Sequence, residues 1–263
     1  MRKTTSKRNQ NNLKKSARAT DKPQDDIALA KSAFITNISH EIRTPMNAIM
    51  GFAQMLQNTG LNEKQADYVN VILDSGKKLL LIIGNLLDLS NLQLGKTSLN
   101  LGTCVVHELA DKLWQHFHPL IRTKNLEAIL ECAPDIPKLM LDCEKVERVL
   151  SFVISNAIKY TTTGFVALRI YAKPLEAGSV MLCMEVADSG IGISADKIKH
   201  IFHVFEQADN SITRNYGGLG IGLGLSQQIV LLLGGNIRVQ STPGKGSRFF
   251  IDIPASLVPE QRP

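Results

Sequence analysis

Apolar residues between about positions 25 and 58 recur at alternating steps of three and four: Ile35, Ile38, Ile42, Ile49, Phe52 and Leu56, with Pro45 in the remaining slot. That spacing predicts a helix with one apolar seam. Asn58, Thr59 and Gly60 interrupt it, and a second series in the same heptad follows through Val69, Leu73, Gly76, Leu80, Ile83, Leu87, Ser90 and Leu94. The two series read as an antiparallel helical hairpin. An isolated hairpin buries one stripe per helix, so pairing of two copies into a dimeric four-helix bundle is the natural completion, and a homodimer is expected.

Beyond about residue 100 the pattern changes. Alternating or β-rich runs at 126–131, 165–172, 180–186, 236–240 and 248–253 predict strands, and helical periodicity returns at 105–120, 143–160 and 223–233. Helices covering one face of a sheet give a two-layer α/β sandwich. The expected organisation is a basic tail over 1–24, the hairpin over 25–97, the α/β domain over 98–257 and a short tail over 258–263.

Charge sharpens the first boundary. The formal net charge is +6, and Arg2, Lys3, Lys7, Arg8, Lys14, Lys15, Arg18 and Lys22 all precede or adjoin the hairpin. A stretch that basic and that poor in apolar residues cannot bury enough surface to order itself, so a solvated, disordered tail is expected rather than a specific nucleic-acid arm. The longest apolar run, 79–83, is far below the roughly 20 residues that span a bilayer, and no signal segment precedes it. A cytoplasmic location without a transmembrane segment is expected. The four cysteines, Cys104, Cys132, Cys143 and Cys183, stand far apart with no CxxC pair, and are read as reduced packing residues. His116 and His118, or His200 and His203, read as surface or packing residues rather than a metal centre.

His40 carries the first chemistry. A helical step of about 100° turns it away from Ile38 and Leu56, onto a face shared with Thr36, Asn37, Thr44 and Asn47, with Glu41 beside it. An imidazole that is largely neutral near pH 7, with a carboxylate to take its proton, is a competent nucleophile. Pro45 removes a helical hydrogen bond just beyond it and is expected to bend the helix there.

The second constellation lies in the α/β domain. Asn156 and Lys159 share a helical face with Phe152, and offer an amide oxygen for Mg²⁺ and an ammonium for phosphate. Asp188-Ser-Gly190-Ile-Gly192 follows a strand, where a carboxylate can accept from an adenine amino group and glycine lets backbone approach the base. Gly217-Gly218-Leu-Gly220-Ile-Gly222-Leu-Gly224 then runs into an apolar helix, presenting N–H groups and a positive helix end to phosphates.

Phe34-Ile-Thr-Asn-Ile-Ser-His40-Glu41-Ile-Arg43-Thr44-Pro45-Met-Asn47 closely resembles the H-box of sensor histidine kinases. The three later elements resemble, in order and spacing, the N, G1 and G2 boxes of the ATPase superfamily that includes DNA gyrase; Ile201-Phe202-His-Val-Phe205 matches the F box, and Gly234-Gly235 with Pro243-Gly-Lys-Gly-Ser matches the closing strand pair. The resemblance, over about residues 25–255, implies that His40 accepts a phosphoryl group from Mg-ATP, that Glu41 acts as general base, and that Thr44 positions water for dephosphorylating the partner. It implies a nucleotide site of Asn156, Lys159, Tyr160, Asp188, Gly190, Gly192, Phe202, Phe205, Arg214, Gly218, Gly220 and Gly222, with Asn156 on the metal and a lid over about 202–220. It also implies a dimer and transfer to an aspartate of a response regulator receiver domain; the input is expected either through a separate sensor protein or through a longer chain of which this is a fragment.

The sequence departs from the family pattern at Phe152, where an asparagine is usual, at Arg148, which replaces a glutamine, and at Leu219, which replaces a frequent threonine. Phe152 removes a polar group beside Mg²⁺. It keeps open a second reading, a degenerate kinase that serves as a dimeric, regulator-binding scaffold or phosphatase.

Overall fold

The protein, as a computed structural model, is described over residues 22–176, 178–203 and 220–259, with side chains from Ile38 onward. It divides into two compact units at Thr97–Ser98. Most of the basic tail, together with Phe205, Arg214, Gly218 and most of the expected lid, lies outside the described residues.

In the first unit, helix α1 (Lys22–Gln57) runs unbroken through Pro45. Gly60 turns the chain at φ 70°. Helix α2 (Glu63–Gln93) then opens on a capping box: the Asn62 side chain accepts from the Gln65 N–H at 2.9 Å, and the Gln65 side chain accepts from the Asn62 N–H at 3.0 Å. The two helices close over a small core of Ala53, Val69 and Leu73, with Met50 and Leu61 packed against it. Gly76 permits the approach, because a Cβ there would stand 2.9 Å from Cγ of Met50. Gln57 Nε2 donates to Asn70 Oδ1 across the pair at 2.8 Å.

The observed α2 seam follows Val69, Leu73 and Gly76 as expected, but the α1 seam does not. The buried contacts of α1 come from Met50 and Ala53, one position beyond Ile49 and Phe52 and so about 100° around the helix. Ile49, Phe52 and Leu56 instead stay open at 50%, 68% and 48% exposure, as do Tyr68, Val71 and Ile72 on α2. From Ile49 onward the α1 series read from the sequence is therefore an outward stripe. The hairpin uses its neighbour.

The second unit is a seven-stranded sheet with helices packed on one face. Its elements in chain order are β1 (Gly102–Cys104), α3 (Val106–Thr123), β2 (Glu127–Cys132), β3 (Leu139–Leu141), α4 (Cys143–Tyr160), β4 (Phe165–Pro174), β5 (Ser179–Asp188), the single turn α5 (Ala195–Ile198), α6 (Gly222–Leu232), β6 (Asn236–Thr242) and β7 (Gly246–Leu257). The spatial order is β1-β3-β7-β5-β4-β2, with β6 also on β7. All pairings are antiparallel except β2 with β4. The apolar faces of the helices, including Leu113, Phe117 and Ile121 of α3, Leu150, Val153 and Ile154 of α4 and Leu225 and Ile229 of α6, bury against Leu168, Leu182, Met184, Ile251 and Ile253 of the strands. The opposite face carries a cross-strand charge ladder: Arg169 meets Glu131 at 2.8 Å and Glu185 at 3.4 Å.

One expectation fails here. Cys104 and Cys143 form a disulfide, with Cα atoms 5.6 Å apart, rather than standing as separate thiols; Cys132 and Cys183 remain free. The antiparallel pairing sets Cys104 opposite Leu139 of β3, and the chain enters α4 at Cys143 four residues on, a meeting that a separation of 39 residues conceals. A loop of that size constrains the unfolded chain by about 4 kcal/mol in the entropic account. Asp142 reinforces the same corner by capping α4 and accepting from the Asn100 N–H at 2.8 Å. Burial opposes its charge, but the Lys145 ammonium at 2.6 Å and the N–H groups of Asn100 and Lys145 outweigh that and hold its carboxyl below the usual range.

Candidate functional site

On α1, Ser39 is buried at 2% exposure while His40, Glu41 and Thr44 are exposed. The 100° step places His40, Glu41 and Thr44 within one sector of the helix. The Thr44 hydroxyl donates to the His40 carbonyl at 3.2 Å, which keeps it on the same face one turn along. Histidine, carboxylate and hydroxyl consequently form one accessible row.

Among the described residues, the segments expected at the nucleotide meet at one end of the sheet. Asp188 ends β5 at 8% exposure, and its Oδ1 accepts from the Gly190 N–H at 2.8 Å and the Ser247 N–H at 3.3 Å. Burial pushes its carboxyl above the ordinary range, the two N–H groups partly opposing it. The Gly190–Gly192 turn leans on two other segments. Ile191 donates its N–H to the Tyr160 carbonyl at 3.2 Å, and its own carbonyl accepts from the Gly244 N–H at 2.8 Å. Gly192 has φ 68°, and a Cβ there would strike the Thr242 carbonyl, so no other residue fits. Ile193 donates to Ser241 Oγ at 2.7 Å, completing the attachment to the β6–β7 hairpin.

The last two turns of α4 supply the opposite wall. Asn156, Lys159 and Tyr160 are half-buried, and the Lys159 ammonium lies 4.7 Å from the Tyr160 ring centre. Phe152 is half-buried on the same helix, and a Cβ on Gly222 would meet its ring at 3.0 Å. It therefore packs toward the first residue of α6 rather than into the sheet-facing core of α4. The Arg148 guanidinium stands 5.9 Å over that ring, so two of the three departures from the family pattern are neighbours in space. Gly220, at φ 69°, and Gly222 lead into α6, and Phe202 is half-buried beyond α5. Asp188, Gly190, Gly192 and Tyr160 are thus joined directly, and Phe152 ties the α4 wall to the start of α6. Lys124 belongs to the same neighbourhood although nothing in its sequence context signals it: its ammonium reaches the end of α4. Among the described residues no group of histidine, cysteine and acidic side chains is arranged to hold a metal ion, and no helix is long and apolar enough to cross a membrane.

Two family models match the chain in succession. Residues 30–95 match the His Kinase A (phospho-acceptor) domain, and residues 141–257 match the histidine kinase-, DNA gyrase B- and HSP90-like ATPase, which makes the second domain an ATP-binding one. Over 224 residues the chain is 38% identical to sensor histidine kinase GacS of Pseudomonas protegens, covering 85% of this chain and 24% of that protein. It is 32% identical over 246 residues to the autoinducer 2 sensor kinase/phosphatase LuxQ of Vibrio cholerae, covering 93% of this chain and 28% of that one. The chain thus spans about a quarter of the length of these curated relatives. Among solved structures, full-length ShkA in complex with AMPPNP aligns with a TM-score of 0.73 at 28% identity, over 85% of this chain and 46% of that one. A phospho-acceptor hairpin followed by this ATPase domain, with relatives that carry both, makes the chain a member of the sensor histidine kinase family of two-component signalling.

Proposed function

We propose that the chain binds Mg-ATP at the Asp188 turn, phosphorylates His40, and passes the phosphoryl group to an aspartate on a response regulator. The observation that carries this reading is the accessible row of His40, Glu41 and Thr44 in a chain whose second domain has the adenine-type acid, Asp188, buried and braced. In the transfer, a ring nitrogen of His40 forms the new N–P bond as the bond from the γ-phosphorus to the β–γ bridging oxygen breaks. ADP leaves, and Glu41 takes the imidazole proton. Asp188 accepts from the adenine amino group, and the Gly190–Gly192 turn lies against the base. Lys159 and the start of α6 face the phosphates. Asn156 would hold Mg²⁺ through its amide oxygen, and the metal, when bound, would neutralise phosphate charge.

A second copy is the proposed occupant of the open stripe of Ile49, Phe52 and Leu56 with Val71 and Ile72, because such a row is costly to leave in water. Incubation with γ-labelled ATP and Mg²⁺ tests the whole reading. Acid-labile, alkali-stable label on the protein is expected; its absence from a folded, ATP-binding chain leaves only the scaffold.

Phe152 is the observation that favours the scaffold, since a ring cannot ligate a hard cation. Restoring the family residue in Phe152→Asn is expected to raise the single-turnover labelling rate about tenfold at saturating Mg-ATP, metal placement acting on transition-state charge. The same change opens space beside Gly222 and should cost about 1 to 3 kcal/mol of stability. A rate that stays level or falls, in a variant still folded by circular dichroism, assigns Phe152 to packing alone.

Dephosphorylation of the regulator is proposed for Thr44, whose hydroxyl shares the His40 face. Thr44→Ala is expected to keep His40 labelling within about twofold but to slow phosphate loss from the partner by about tenfold or more. Equal loss rates for parent and variant would remove the hydroxyl from that step.

A further inference from the structure

Lys124 sits just past α3, where nothing about the nucleotide would place a functional group. Its backbone is pinned: the N–H groups of Lys124 and Leu126 both donate to Ile121, and Asn125 between them takes the left-handed φ of 56°. From that fixed point the side chain crosses to the far end of another helix. Its ammonium donates to the carbonyl of Ile158 at 2.6 Å, of Lys159 at 3.3 Å and of Thr161 at 3.5 Å. These carbonyls surround the end of α4, where the last backbone oxygens lack helical partners and the helix dipole is negative. A cation there is favourable on both counts.

The carbonyl that this set brackets is that of Tyr160, which accepts from Ile191 in the glycine turn. The contact is close on both sides: a Cβ on Gly190 would come within 2.5 Å of the Tyr160 carbonyl and 2.9 Å of Thr161 Oγ1. Thr161 in turn donates its hydroxyl to the Ala157 carbonyl at 2.7 Å, so the C-cap and the last turn move together. A small rotation of the α4 terminus is therefore passed to the turn that follows Asp188. It is not absorbed by soft side chains in between.

We propose that Lys124 is a positioning residue of the nucleotide site: by capping the end of α4 it holds the Tyr160 carbonyl where the Gly190–Gly192 turn can rest on it, and so fixes the base-binding end of the pocket. The proposal rests on the reading of Asp188 as the adenine acceptor. Lys124 touches neither base nor phosphate in this scheme. Its effect should fall first on recognition of the base, while Asn156, which lies before the last turn of α4, still acts once ATP is bound.

The test uses the full chain and the variants Lys124→Met, Lys124→Arg and Asp188→Asn, with self-labelling kinetics, calorimetric binding of ATP, GTP and inorganic tripolyphosphate, and thermal melting. Lys124→Met keeps the aliphatic stem and removes the charge. It is expected to raise KM for ATP about fivefold to tenfold with the rate at saturation within about twofold, and to narrow the preference for ATP over GTP while leaving tripolyphosphate affinity unchanged. Lys124→Arg should restore most of the ATP preference. An unchanged KM and base preference in Lys124→Met, or a fall in saturating rate that tracks lost melting temperature and is not rescued by arginine, overturns the proposal. If the methionine variant does not fold, the base preference of the arginine variant decides: a preference equal to the parent's supports the cap, and one reduced together with tripolyphosphate binding refutes it. Asp188→Asn separates the two levels. Full ATP affinity in that variant would sink the site reading itself, whereas its loss beside an indifferent Lys124→Met would sink only the cap.

Discussion

His40→Gln is expected to abolish acid-labile labelling from γ-labelled ATP while leaving ATP affinity within about twofold of the parent. Glutamine keeps a polar, helix-compatible side chain on the exposed face but has no nucleophilic ring nitrogen, so the N–P bond cannot form. His40 lies in the unit ending at Thr97 and Asp188 in the unit beginning at Ser98, and the two share no element of secondary structure. Binding and labelling should therefore come apart in one variant. Calorimetric titration with ATP, run beside the labelling assay, makes the comparison. Residual acid-labile phosphate on the variant would mean that another side chain is the acceptor, and a parallel loss of ATP affinity would mean that the two units are not independent.

How far these residues were legible in the sequence depends on the range of the interaction that places them. Helix α4 was read at its observed bounds because its apolar face repeats over five turns, and the structure adds the Asp142 cap at its start. Strands β1 and β3 were missed, since three residues each are too short for alternation to register, and they exist only because β7 and each other's backbones complete them. The α1 seam was misplaced for a related reason. Two adjacent stripes are apolar, and the one with the stronger heptad faces outward, while the smaller Ala53 and the flexible Met50 suit the close approach to Gly76. The proposed row of His40, Glu41 and Thr44 and the proposed adenine acid Asp188 were read from the long runs around them that resemble family motifs, since a histidine beside a glutamate or an acid before two glycines is common by itself. Lys124 and the Cys104–Cys143 bond were not, because each depends on segments more than thirty residues apart that only the sheet brings together.

Asp188→Asn is expected to weaken ATP binding about 10- to 100-fold without destabilising the free protein. Both N–H donors that brace Asp188, from Gly190 and Ser247, end on Oδ1, and an asparagine carbonyl oxygen can accept them in its place. The amide nitrogen then occupies the second oxygen's position, where it can only donate. An adenine amino group also donates, so the pair clashes in hydrogen-bond sense. The stability side follows from the raised carboxyl. Because burial lifts the folded pKa above the unfolded value, the native state holds its proton to higher pH, and the parent loses stability as pH rises from the ordinary carboxylate range through the raised one. Asparagine has no charge to desolvate, so its melting temperature should match or exceed the parent's near neutral pH, and that advantage should shrink as pH falls through the raised range and be gone below the ordinary carboxylate range. Melting curves across pH, paired with calorimetry at neutral pH, test both halves. ATP affinity equal to the parent's would remove Asp188 from the adenine contact, while a variant that melts earlier at every pH would make the carboxylate a structural group instead.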